Sequence, residues 1–375
     1  MKKYLIFILL AVFVLPLQSM AQGCSDSGGE DGIKVIGFVQ SEYQYQMLGD
    51  SVQVDAINGL EQPSSFYLRR ARLGATGEIP YDFSYYFMAE FSPSLGGPYI
   101  LDAFVTYKRF APYFMVSMGQ FKSQFGLELT TACSGLYTIG RSRVVNELSS
   151  PFRDIGVLLL GGTGDKKFFG LEHENIITYR LAITNGQGMN KYDGNMDKDI
   201  TARVVLQPIE DVKIGASYRW GKQKPIQATE PDDLRRRWGV DISVEKGKIL
   251  FQGEYISGFD RGSSLVGGGC GSAPTIQKGD FTKDGFWTAI MYKFDNGFAP
   301  ILKYQYFNVT SDVASIPAQT QDEAIIGFNY YFNDWVRMQC NYVIPKDNLT
   351  HNTFLNSDSN YKKNYIVIQL QAKFN

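Results

Sequence analysis

From Asp82 to Ser92 the chain alternates. Phe83, Tyr85, Phe87, Ala89 and Phe91 occupy the odd positions, and Asp82, Ser84, Tyr86, Met88, Glu90 and Ser92 the even ones. A period of two is that of a β-strand with one apolar face and one mostly polar face. The rhythm returns at Ile200, Ala202, Val204 and Leu206, and again at Val212, Ile214, Ala216, Tyr218 and Trp220. Trp238, Val240, Ile242 and Val244 repeat it, as do Ile366, Ile368, Leu370, Ala372 and Phe374 at the end of the chain. Counted from Ile33 to Phe374, such segments number about sixteen, an even number as a closed up-and-down barrel requires.

Alternation of this kind suits either a half-buried soluble sheet or a membrane barrel with lipid outside and water inside. Connection lengths separate the two. Tight links at Glu78–Tyr81, Gln207–Asp211, Glu245–Lys248, Phe294–Gly297 and Phe332–Trp335 alternate with long polar ones. The long ones lie near 46–65, 123–152, 186–197, 222–234, 259–282, 310–320 and 346–360. Short turns on one rim and long loops on the other are the mark of an outer-membrane barrel. Aromatic residues gather at the strand ends (Tyr81, Phe83, Phe110, Tyr113, Trp220, Trp238, Phe294, Phe298, Tyr330, Phe332 and Trp335), as interfacial girdles do. The sequence therefore predicts an all-β, transmembrane antiparallel β-barrel of about sixteen strands.

Composition agrees. Tyr and Phe number 23 and 26 and Gly 38, against two histidines, and the net charge of −1 gives no sign of nucleic-acid binding. The N-terminus reads as an export signal: Lys2 and Lys3, an apolar run from Leu5 to Leu17, and Ser19-Met20-Ala21 as the cleavage site. Residues 1–21 are thus assigned as signal peptide, 22–32 as a flexible lead and 33–375 as barrel. A lipoprotein cleavage before Cys24 is the alternative, although Ala21 stands where a large aliphatic residue is usual. Beyond Leu17 no apolar run approaches the ~20 residues of a spanning helix.

One stretch tests the barrel reading. "FYLRRARLGATGEI" (Phe66–Ile79) carries three arginines in four residues. By parity Arg70 and Arg72 share a face with Gly74, Thr76 and Glu78. On the lipid side at mid-depth each would cost about 2–4 kcal/mol, so they are assigned to an aqueous lumen. Arg69 falls on the other face, near the strand start, where its stem can snorkel to the headgroups.

The same stretch, continued as "PYDFSYYFMAEF" and followed by "LDAFVTYKRF", "MVSMGQFKSQFGLE" and "SSPFRDIGV", resembles the phosphate-selective porin O and P family of bacterial outer-membrane channels. "ITNGQGMN" and "RVVLQPIEDVKIGASYRWG" extend the resemblance more loosely, and the rest of the chain matches mainly in rhythm. The closing "IVIQLQAKFN" is similar to the last strand of such proteins, with Asn375 following the usual terminal Phe. The resemblance implies a sixteen-stranded barrel, normally a homotrimer, with the third long loop folded inward as a constriction. That loop corresponds to about 123–152, after the fifth strand.

In the family's anion-selective members basic residues line the pore, because fixed positive charge in a narrow channel lowers the energy of an entering anion. The pore-lining and anion-binding candidates are Arg70, Arg72, Lys108, Lys122, Arg141, Arg143, Arg153, Arg203 and Arg219. Leaving aside Arg141, Arg143 and Arg153 of the loop and its flank, and adding Arg180, Lys213, Arg237, Lys303, Arg337 and Lys373, parity puts about a dozen basic residues on the inner wall against about nine acidic, a modest excess suited to weak anion preference. Acidic Glu78, Asp82, Glu90, Asp102, Asp199, Asp241, Glu245, Glu254 and Glu323 share that wall, and many of these charges are expected to pair across the lumen. In the loop, Glu128 and Glu147 are set against Arg141 and Arg143, and Asp154 against Lys122 and Arg153. No dense lysine cluster is visible.

Three functions remain in competition. A passive outer-membrane porin for small hydrophilic solutes, with weak anion or phosphate preference, needs no cofactor and no metal. A receptor or adhesin would use the long loops, such as Gly-rich Ser263–Thr275. A barrel hydrolase would need a base from His173 or His351, yet neither GxSxG nor HExxH accompanies them. Cys133 and Cys270 fall in two long loops and pairing between them stays open, while Cys340 occupies an apolar strand position.

Overall fold

The computed structural model describes residues 32–47, 64–164, 174–224, 232–266, 275–312, 318–347 and 364–374. The predicted signal peptide, Cys24, Cys270, His173 and His351 lie outside them.

Sixteen antiparallel strands close into one barrel. In chain order they are β1 (Lys34–Gln46), β2 (Ser64–Ile79), β3 (Phe83–Glu90), β4 (Tyr99–Phe110), β5 (Phe114–Lys122) and β6 (Arg153–Gly162). There follow β7 (Ile177–Thr184), β8 (Asp199–Ile209), β9 (Val212–Gln223), β10 (Asp233–Lys246) and β11 (Ile249–Val266). The last five are β12 (Thr275–Tyr292), β13 (Phe298–Ser311), β14 (Gln319–Tyr331), β15 (Val336–Asp347) and β16 (Tyr365–Phe374). Each strand pairs with its sequence neighbours, and β1 meets β16 in a register running from Gly37↔Phe374 to Gln46↔Tyr365. Closure leaves no edge strand, so every backbone group at membrane depth finds a partner in the ladder.

Alternation does in space what it promised in sequence. Leu181, Ile183, Ile200, Val204, Leu206, Ile214, Tyr218, Trp238 and Val240 are exposed on the outer wall, while Arg203, Ser217, Arg219, Arg237 and Asp241 are buried on the inner one. Aromatic contacts run along the short-turn rim, with Phe83–Tyr107 at 5.0 Å between centroids, Tyr292–Phe294 at 4.7 Å, Phe298–Phe328 at 5.3 Å and Tyr330–Phe332 at 4.9 Å. Tyr43–Phe66 at 4.5 Å and Trp238–Tyr255 at 5.4 Å lie toward the other rim. On the short rim Gly247 (φ 58°) and Gly297 (φ 84°) take the left-handed conformation that closes a tight link.

Four expectations are corrected. The 259–282 region is mostly strand, since β11 and β12 stay paired from Phe259↔Thr282 out to Val266↔Thr275. The short rim carries one longer connection, 163–176, and the long-loop rim carries an additional short one, 91–98, which holds a 3-10 turn at Pro93–Leu95. The fourth correction concerns Arg69. A β-bulge shifts the β1–β2 register from Gln40↔Arg70 to Ser41↔Leu68, leaving Arg69 as the extra residue. Parity therefore breaks there: Tyr67 points inward and donates to Glu42, Phe66 is exposed on the outer wall, and Arg69 hydrogen-bonds the Tyr67 side chain instead of reaching for headgroups.

Between β5 and β6, residues 123–152 fold into the lumen as two short helices, α1 (Leu127–Thr130) and α2 (Arg143–Leu148), with a 3-10 turn at Cys133–Gly135 between them. Phe125, Leu129, Val144, Val145 and Leu148 pack with Ile256, Trp287 and Phe307 of the wall in a cluster where no residue exceeds 5% exposure. Tyr137 and Ile139 cover two more apolar wall patches, Leu250–Met291–Ala299–Ile301 and Ile325–Val343–Val367. The wall makes room with glycine: a Cβ at Gly258 would stand 2.9 Å from Leu148 Cδ2, and one at Gly285 3.0 Å from Val144 Cγ2.

Candidate functional site: the lumen

Polar latches complement the apolar seat of the inner segment. Glu254 on β11 accepts from the backbone N–H groups of Leu127 (3.1 Å) and Glu128 (3.0 Å), the free donors of the first turn of α1, and from the Trp287 indole (3.0 Å). Glu128 pairs with Lys303 of β13 at 2.5 Å, both nearly fully buried, and accepts from Ser142 N at 2.7 Å. Asn329, Gln339, Arg337 and Gln371, from β14 to β16, donate to the carbonyls of Ser134, Leu136 and Tyr137. Arg143 N and Ile139 N donate to Gln305 and Asn341. Backbone polar groups of a segment with little regular structure are thus satisfied by amide and charged side chains from the facing wall.

This arrangement brings four of the predicted site residues together. Arg72 donates to Glu90 Oε2 at 2.8 Å through Nε and to the Cys133 sulfur at 3.3 Å through Nη1. Arg141 reaches the same sulfur with both terminal nitrogens at 3.5 Å and is held by the carbonyls of Glu128 (3.2 Å) and Thr131 (3.0 Å). Lys122 donates to the Thr131 carbonyl at 2.8 Å, and Arg70 to Gln40 Oε1 at 2.8 Å. Among the described residues no carboxylate pairs with Arg70 or Arg141; their anchors are an amide oxygen and two backbone carbonyls. Burial would raise the Cys133 thiol, but the charges of Arg70, Arg141, Arg72 and Lys122 outweigh it and hold the thiol well below its ordinary value.

The other candidates are neutralised along the wall. Arg203 forms a two-pronged pair with Asp241 (2.5 and 2.9 Å), Arg219 pairs with Asp199 and donates to Ser150 O at 2.8 Å, and Arg153 pairs with Asp102 at 3.0 Å. Lys108 pairs with Glu78 near the short-turn rim, and Arg143 pairs with Glu147 at 2.8 Å, exposed and outside the cluster. Arg219–Asp199 joins neighbouring strands, Arg203–Asp241, Arg153–Asp102 and Lys108–Glu78 each reach along the inner wall over one intervening strand, and Arg143–Glu147 lies within a helix turn, so the expectation of pairs across the lumen holds mainly for Lys303–Glu128, where wall meets inner segment. Two pairings differ from expectation. Glu128 serves Lys303 and offers Arg141 only its carbonyl, because the α1 turn aims its carboxylate at β13. Asp154 accepts from Ile155 N and Gly186 N, which leaves Asp102, on β4 beyond the intervening β5, to take Arg153. Cys133 is the member of the cluster that sequence reasoning missed; among the described residues it and Cys340 form no disulfide.

Comparison with known proteins agrees with this geometry. Residues 42–248 match the family described as phosphate-selective porin O and P. No curated protein matches the chain. Among solved structures, the anion-selective porin from Comamonas acidovorans superposes with a TM-score of 0.62 at 11% identity, covering 92% of this chain and 100% of that one. The outer membrane channel DcaP of Acinetobacter baumannii gives 0.61 at 14% identity, over 93% and 100% of the two chains. OmpT of Vibrio cholerae in its trimer form gives 0.61 at 13% identity, over 92% and 99%. At such identities the likeness establishes the fold, and the family match extends over more than half of the sequence. The chain belongs to the phosphate-selective porin O and P family and sits in the bacterial outer membrane as a channel.

Proposed function

We propose that the protein is a passive porin for small hydrophilic solutes, narrowed by the 123–152 segment and biased toward anions by Arg70, Arg72, Lys122 and Arg141. The observation that carries this reading is the convergence of these four cations from β2, β5 and the inner segment, two of them without a bonded carboxylate. A fixed positive field in a confined, low-dielectric passage lowers the energy of an anion there, and guanidinium groups match phosphate oxygens geometrically. The paired arginines at 153, 203 and 219 contribute little net charge and serve to stiffen the wall. The family match and the trimer form of a structural neighbour support a homotrimer, and the Ser19-Met20-Ala21 site supports export after removal of residues 1–21.

Planar-bilayer recording tests the reading. In a potassium chloride gradient the reversal potential of the unmodified channel is expected on the anion side, with added phosphate reducing chloride current. Exchanging both Arg70 and Arg72 for Ser should move the potential toward cations; no movement would remove these residues from the pore.

A further inference from the structure

Cys133 occupies an unusual place for a thiol. Three guanidinium N–H groups point at its sulfur, from Arg72 (3.3 Å) and from Arg141 (3.5 Å twice), although a neutral thiol is a weak acceptor. Its 3-10 turn is pinned by Gln40, Arg337 and Gln371, which bond the carbonyls of Cys133 and Ser134 and so hold the backbone that carries the sulfur beside the cluster. Arg70, more than nine-tenths buried, rests on a neutral amide. A buried guanidinium calls for a nearby negative charge, and Glu90 is already engaged by Arg72 and by the backbone N–H groups of Ala71 and Ser92. The groups facing the sulfur are then Arg70 and Arg72 from β2, Lys122 from β5 and Arg141 from the inner segment, with Glu90 of β3 and Tyr99 of β4 close behind through Arg72.

We propose that Cys133 is the built-in counter-ion of this cation cluster: its sulfur, carried as a thiolate, offsets part of the positive charge and thereby sets how strongly the channel prefers anions. The proposal rests on the anion-biased reading above and deepens it, because it assigns the group against which an entering anion competes. A thiolate suits this place: proton loss is favoured beside several cations, and the large polarisable sulfur accepts several long hydrogen bonds at once. A neutral side chain here would leave the site more positive by one charge; a carboxylate would leave it as it is.

Two variants separate charge from shape. Cys133→Ser removes the charge with little change of size, and Cys133→Asp restores a fixed negative charge. In the chloride gradient, Cys133→Ser is expected to raise the anion-to-cation permeability ratio by about threefold, the scale of one unit charge acting across a hydrated pore. Phosphate should then suppress its chloride current at lower concentration, and Cys133→Asp should behave like the unmodified channel. The proposal is overturned if Cys133→Ser and the unmodified channel share one reversal potential, or if Cys133→Asp follows Cys133→Ser. In either case a remaining effect of the double Arg70→Ser, Arg72→Ser variant leaves the anion-biased reading standing; loss of that effect too removes the reading itself. A spectroscopic arm does not depend on these variants folding. A chain that keeps Cys133 alone (Cys24→Ser, Cys270→Ser, Cys340→Ser) is expected to show the ultraviolet absorbance of one thiolate at neutral pH, and its absence overturns the assignment.

Discussion

Replacing Lys303 with Met removes the cation from a pair in which both partners are almost completely buried and sits at the point where the inner segment is fixed to β13. Glu128 would keep its bond from Ser142 N but lose its compensating charge. At an effective dielectric of about 20, two unit charges about 4 Å apart attract by about 4 kcal/mol, and breaking a buried pair from one side costs about 3–5 kcal/mol. The contact of the ammonium with the Trp287 ring, 4.9 Å from its centroid, is lost as well. The wall ladders do not depend on this pair, so the cost falls on docking of the segment and not on closure of the barrel. A loss of that size raises the population of the undocked segment by about a hundredfold or more, since each 1.4 kcal/mol is a factor of ten. Trypsin cleavage after Arg141 and Arg143 in detergent-solubilised protein tracks that population, and should accelerate accordingly while the heat-modifiable band of the folded barrel persists. The double variant Glu128→Gln, Lys303→Met removes both charges and keeps an acceptor for Ser142 N, so most of the protection should return. Equal cleavage rates for Lys303→Met and the unmodified protein, or no recovery in the double variant, would refute the assignment of this pair as a latch.

Further expectations concern the same scaffold. Glu254→Ala leaves two backbone N–H groups and an indole N–H without their acceptor, at about 1–3 kcal/mol for each group that water cannot reach, so segment protection should fall by tenfold or more in the same cleavage assay. Gly258→Val would drive a side chain into Leu148 and Arg237; overpacking of about 1–3 kcal/mol should loosen α2, with faster cleavage after Arg143 as the readout. Asp241→Asn strips Arg203 of its carboxylate, and is expected to lower the thermal stability of the barrel and to move the reversal potential toward anions. Unchanged values for both would show that this pair neither braces the wall nor faces the permeation path.

The barrel was legible because one physical rule governs nearly all of it. Lipid on one side and water on the other force a period of two, and β8, β9, β10 and β16 obey it in sequence and in space. The rule weakens where the solvent does. Along β11 to β15 the inner wall carries Ile256, Trp287, Met291, Ile301, Phe307, Ile325 and Val343, because it meets the inner segment there and not water. Those strands therefore read as less regular, and the extension of β11 and β12 reads as loop. The inward glycines at 258 and 285 were the available sign of a close neighbour. Arg69 was misplaced for a different reason: a bulge costs one residue of parity and leaves no trace in the pattern of apolar and polar positions.

The candidate site was harder to read because it is made of charges whose meaning depends on what stands opposite. Counting the basic and acidic residues of the wall gives a modest basic excess, and for most of them the structure shows neutralisation pair by pair, between strands that are adjacent or one apart. Strand neighbours are predictable from a hairpin order, so Arg219–Asp199 was within reach of the sequence, whereas Arg203–Asp241 reaches over the intervening β9. The cluster was not, since it joins residues 70 and 72 to 122, 133 and 141 through a segment with no period of its own. The excess positive charge resides at this junction because the inner segment brings Arg141 to the wall while its own carboxylate, Glu128, is drawn away to Lys303. Docking and selectivity are therefore coupled through one helical turn: the pair that latches α1 also keeps Glu128 from neutralising Arg141. Lys303→Met should consequently do more than loosen the segment. With its carboxylate released toward Arg141, the channel should lose anion preference in step with protection from cleavage, and a variant that shows one change without the other would separate the latch from the field.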